Sequence, residues 1–135
     1  MLGRTANGLY WMFRYIERGE NIARLIDAGL RMALTRSGSS DEDWDGVLQS
    51  AGVREDFDAV HDRLTSADAI DYLLRDRSNP SSVMSCIEAA RNNGRMVRTA
   101  LTRETWEAIN EAWMSTTRLL KAPIGEPDLP RILDQ

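Results

Sequence analysis

One stretch, Leu9 to Leu34 (LYWMFRYIERGENIARLIDAGLRMAL), constrains the rest of this chain more than any other. It contains no Pro, its glycines Gly19 and Gly29 are isolated, and it predicts a single helix of about 26 residues, roughly 39 Å long. On a helical wheel one apolar face gathers Leu9, Met12, Phe13, Ile16, Ala23, Leu30 and Leu34. A second face, on the roughly opposite side, gathers Trp11, Tyr15, Ile22, Leu25, Gly29 and Met32. A surface helix needs one apolar stripe; a helix with two is expected to be buried on two sides.

The charges on this helix sharpen the expectation. Glu20 and Asp27 fall near the middle of the first apolar face, Arg18 lies amid the second, and Arg14, Glu17, Asn21 and Arg24 form a polar strip along one seam. A buried charge costs several kcal/mol unless it is paired and hydrogen-bonded. The spacing offers Glu20–Arg24 at i,i+4 and Arg14–Glu17 at i,i+3 as helix pairs. It also allows a polar site set into a bundle, with Glu20 buried.

The remainder reads as a series of shorter helices. Thr5 or Asn7 is the expected cap of the first helix, and 36–40 a polar break whose Ser40 caps the next. That short helix buries Trp44, Val47 and Leu48 and stops at Gly52; another, from Arg54 to Leu64, carries Phe57, Val60 and Leu64. Thr65 or Ser66 caps a third, with Ala69, Ile70, Leu73 and Leu74 on one face. Asn79-Pro80 is a start signal, Asn as cap and Pro at the first helical position, for a helix to about Leu101. Thr102 opens the last helix, Arg103 to about Lys121, with Trp106, Ile109, Trp113 and Leu120 inward. Pro123, Gly125, Pro127 and Pro130 mark a tail, so the expected division is a helical domain over 1–122 and a tail over 123–135. No stretch alternates as a strand does. The expected class is all-α: a helical bundle around a long first helix, with two long C-terminal helices and short ones between.

Most chemistries fail on residue supply. One histidine, His61, and one cysteine, Cys86, cannot furnish a zinc site or the Glu-x-x-His pairs of a carboxylate-bridged metal bundle. No metal or other cofactor is expected. A lone His in a short helix is expected at the surface or as a cap, and Cys86, on an apolar face, as a small buried hydrophobe. Ser81, Ser82 and Ser85 sit where hydroxyls cap a helix start. There is no phosphate-binding Gly-rich loop. The net charge of −4 gives no field for nucleic acid, no run reaches the ~20 apolar residues of a membrane span, and the single Cys fits a reducing cytoplasm. What remains is a set of arginines. Arg91, Arg95 and Arg98 stand at i, i+4, i+7; with Asn79 at a helix start, and with Arg14, Arg18 and Arg24, they are the candidate anion binders.

The wheel also predicts assembly. Trp11, Tyr15, Ile22 and Leu25 form a stripe that the short helices of a 135-residue chain are poorly able to cover, so a homo-oligomer through that face is expected.

The segment Arg4 to Asp27, RTANGLYWMFRYIERGENIARLID, resembles the opening of bacterial alpha-E domain proteins, which runs roughly RTAENLYWLGRYxERAENxARLLD. The stretches Asp76 to Ile87, Ala90 to Arg95 and Trp106 to Asn110 resemble later blocks of the same family, so the likeness covers most of 1–120. The departures are Asn7 for Glu, Gly8 for Asn, and Gly19 and Gly94 for Ala; Asn7 removes a carboxylate. Longer members resemble a duplication of this helix, so the sequence is either a short member or part of a longer protein. The resemblance implies company with ATP-grasp-like ligases and transglutaminase-like proteins, in a cytoplasmic system that makes, tags or trims peptides. The leading expectation is therefore an accessory helical subunit that docks on such a ligase or holds its peptide. The alternatives are an enzyme using Glu17 or Glu20 as acid or base on an anionic substrate, and a purely structural oligomerisation module.

Overall fold

The computed structural model describes residues 2–35 and 41–121. Within them every regular element is helical: α1 (Leu2–Thr35), α2 (Asp41–Ser50), α3 (Arg54–Val60), α4 (Ser66–Leu74), α5 (Val83–Met96), a 3-10 turn at Arg98–Ala100, and α6 (Arg103–Leu119). The expected cap at Ser40 and the tail 123–135 lie outside the described residues.

α1 begins earlier than its apolar pattern suggests, so Thr5 and Asn7 lie inside it rather than capping it. Its buried stripe runs between the two apolar faces of the wheel: Gly8, Met12, Gly19, Ile22, Ile26 and Gly29, at alternating spacings of four, seven, three, four and three. Two of these glycines are there for proximity. A Cβ on Gly29 would stand 2.7 Å from Val47 and 3.1 Å from the Trp44 ring; one on Gly8 would stand 2.5 Å from Val97. Real side chains do not approach so closely.

α1 packs along α5 on one side, and its C-terminal half meets α2 and α4. The main core lies there, with Ile22, Ile26 and Leu30 against Trp44, Leu48, Phe57, Ile70 and Leu73. Gly52, at φ 74°, turns the chain from α2 into α3. α3 stops at Val60, which is exposed, and His61 closes it as the C-cap with its ring stacked on Phe57 at 4.5 Å. Thr65 caps α4 by accepting from the Asp68 N–H, and Thr102 caps α6 by accepting from Thr105, both as expected.

The start of α5 differs from the expectation. Ser82, not Asn79, is the N-cap, and the helix ends at Met96 rather than near Leu101. Asn79 is drawn inward instead: its amide donates to the Tyr72 carbonyl at 2.9 Å and its oxygen accepts from the Ser81 N–H at 3.0 Å. α6 then packs on the other side of α5, and α1 and α6 make few contacts of their own. They share one small cluster, Met12, Ala90 and Ile109.

Candidate functional site: an apolar groove with an acidic rim

Because α1 and α6 both lean on α5 without closing on each other, a trough runs between them. Two adjoining hollows form it, of ≈ 450 and ≈ 590 Å³, and both include Ile16, Ile87, Ala108 and Ala112. The floor is α5, through Val83, Ile87 and Ala90. One wall is the first apolar face of α1: Phe13, Ile16 and Ala23. Phe13 is 56% exposed, a large cost in water for a chain that buries Trp44 and Phe57 completely. The other wall is a row of small residues on α6, Ala108, Ala112 and Ser115. The charged side chains lining the groove are Glu20, Glu104 and Glu111, all acidic, and none of the described cations lines it.

Glu20 therefore borders the groove, and it is not buried. Its side chain is 61% exposed and its pairing with Arg24 is loose, at 4.0 Å. The expected buried charge is corrected: no helix covers that face among the described residues, so the carboxylate keeps its water. Asp27 likewise pairs with Arg31 at 3.1 Å on the surface. Glu17 pairs with Arg14 at 3.7 Å, both side chains half exposed or more. Arg18 lies over the Tyr15 ring at 5.5 Å. Arg14, Arg18 and Arg24 are thus strung around α1 and do not converge on one point of the groove.

The second arginine set is used within the fold. The Arg91 guanidinium sits 4.3 Å from the centroid of Trp113, and its Nε donates to the Asn110 side chain at 2.8 Å. Arg98, which falls in the 3-10 turn, lies over Trp106 at 5.1 Å. Arg91 binds α6 to α5, Arg98 binds it to the 3-10 turn, and exposed Arg95 stands in the last turn of α5, where the helix dipole favours a cation. Asn79 is 1% exposed with both ends of its amide engaged, so it is withdrawn as a ligand-binding residue.

The stripe expected to carry a homo-oligomer lies only partly at the surface. Ile22 is 4% exposed and belongs to the main core, Leu25 packs against that core, and Tyr15 packs against the Met12 cluster. Trp11 alone of the four stands out, 38% exposed, in edge contact with Tyr10.

Among the described residues no nucleophile emerges from the geometry. Cys86 is fully buried, its thiol facing the Pro80 carbonyl at 3.8 Å; burial pushes its pKa up to about 11, with the Arg18 charge acting in the opposite direction. Ser82 is committed as the α5 cap and bonds Ser85. The residues that matter most at the groove, Phe13, Glu104, Ala108, Glu111 and Ala112, were not singled out by sequence as a site. The available signal was the recurrence of Ala108, Ala112 and Ser115 on the face of α6 turned away from Trp113.

A family model for a predicted alpha-helical domain with a conserved ER motif matches residues 1–134. The one Glu-Arg dipeptide in the chain is Glu17-Arg18. No curated protein and no solved structure matches the chain. Among the described residues no helix is long and apolar enough to cross a membrane.

Proposed function

The chain belongs to the Alpha-E family, and from that premise we propose that it is an accessory helical subunit of a cytoplasmic peptide-ligation or peptide-modification system. Its task is to dock on an ATP-grasp-like ligase or a transglutaminase-like protein, or to hold the peptide such an enzyme works on. The observation that supports this reading is the groove between α1 and α6. An apolar trough edged by carboxylates suits the recognition of another protein segment better than it suits catalysis. Acid–base chemistry on an anionic substrate needs a cation beside the carboxylate. Here the one cation paired with Glu20, Arg24 at 4.0 Å, does not line the groove, and Arg14 and Arg18 stand elsewhere on α1.

The test is isolation of the tagged chain from its own cells. An ATP-grasp-like or transglutaminase-like protein retained in stoichiometric amount is the expected result. Turnover of peptides by the purified chain alone, or a preparation that retains neither class of protein, would contradict it.

A further inference from the structure

We infer that the groove takes one amphipathic α-helix from a partner protein, with Lys or Arg flanking its apolar seam. The inference rests on the accessory-subunit reading and gives it a specific occupant.

Among the described residues the geometry is that of a bundle with one position unfilled. The residues that each helix turns to the groove recur at intervals of three and four. On α1 they are Phe13, Ile16, Glu20 and Ala23; on α5, Val83, Ile87 and Ala90; on α6, Ala108, Ala112, Ser115 and Leu119. That is the spacing by which helices cross at a shallow angle and interdigitate in left-handed bundles. The small side chains on α6 let a helix axis come close. The wall from Thr105 to Leu119 is about 21 Å long, so it accommodates roughly four helical turns.

The charge pattern selects the occupant. Glu104 and Glu111 lie seven residues apart on α6, about 10.5 Å, and Glu20 faces them from α1. A docking helix with basic residues a heptad apart meets them; one with acidic flanks is repelled. A second copy of this chain is a poor occupant on the same ground. A two-fold contact through the groove sets the same three carboxylates of each copy against one another.

The experiment is fluorescence anisotropy of the full chain with two labelled synthetic helices of about 16 residues, long enough for four turns. Both carry Leu at heptad positions, and they differ only in Lys or Glu at the flanks. The Lys-flanked helix should bind at least about tenfold more tightly than the other, and less so as salt rises. Glu20→Lys with Glu111→Lys should reverse the preference. Ala112→Arg, at an exposed position, should abolish binding while leaving the thermal melt unchanged. Equal affinity for the two helices, binding of neither, or light scattering that shows dimers converted to monomers by Ala112→Arg would overturn the inference. A ligase retained equally by wild type and Ala112→Arg defeats the inference and leaves the accessory-subunit reading standing. Selective helix binding with no ligase retained does the reverse.

Discussion

The guanidinium of Arg91 lies 4.3 Å from the centre of the Trp113 ring, and its Nε is 2.8 Å from the Asn110 side chain. One side chain of α5 thus grips α6 at two points a turn apart and fixes one wall of the groove. Arg91→Ala should cost roughly 1–2 kcal/mol, from the lost cation–π contact and hydrogen bond. Arg91→Lys should recover only part, because an ammonium lacks the planar fork. Urea denaturation of the three proteins measures this.

Two glycine substitutions should act with opposite signs. Gly29→Ala places a methyl 2.7 Å from Val47 and 3.1 Å from Trp44, both buried. Overpacking of about 1–3 kcal/mol should outweigh a helix-propensity gain of at most about 1 kcal/mol. Gly46→Ala, within α2 and with nothing inside 4 Å of the added carbon, should stabilise by about 0.5–1 kcal/mol. Melting temperatures moving in the same direction would show that the close packing of α1 on α2 is wrong.

Those glycines also explain what the sequence concealed. An apolarity wheel gives glycine little weight, so Gly8 and Gly19 were assigned to neither face and the buried stripe was divided between the two, with Met12 in one and Ile22 and Gly29 in the other. The caps at Thr65 and Thr102, the buried sides of α2 and α4, and the capping role of His61 were legible because each depends on neighbours in sequence. The end of α5, the inward turn of Asn79 and the exposure of Glu20 were not. They depend on a loop bonding Tyr72, on where Val97 breaks the helix, and on a face that nothing described covers. The groove itself was half visible: the first apolar face of the wheel is one of its walls, but its opening depends on how far α6 stands from α1.

Asn79→Ala and Glu20→Ala should separate clearly. The first removes a buried amide that satisfies the Tyr72 carbonyl and the Ser81 N–H, and should cost about 1–3 kcal/mol. The second removes one member of a loose surface pair and should stay within about 0.5 kcal/mol of wild type. A large loss for Glu20→Ala in a denaturant titration would mean that the carboxylate is enclosed after all.

Alkaline pH should weaken the fold. Burial raises the Cys86 thiol from an ordinary 9.0 to about 11, and it raises Tyr72 as well, aided by Asp56 and Asp76. Both groups hold their protons more tightly when folded, so above the ordinary thiol value the unfolded chain binds fewer protons. Stability is then complete below about pH 9 and falls through about 11, by on the order of 2–3 kcal/mol from the thiol. Cys86→Ala should flatten the early part of that fall in stability curves taken at several pH values. An unchanged curve would place the thiol in contact with water.

The account turns on a helix-sized opening between α1 and α6, and methyl NMR of the full chain titrated with the Lys-flanked helix observes it most directly. The expected result is selective shifts at Ile16, Ile87 and the Ala108 and Ala112 methyls, while Ile22, Ile26 and Ile70 in the main core stay in place. Shifts centred on Ile22 and Leu25, or none in the groove at saturating peptide, would contradict it.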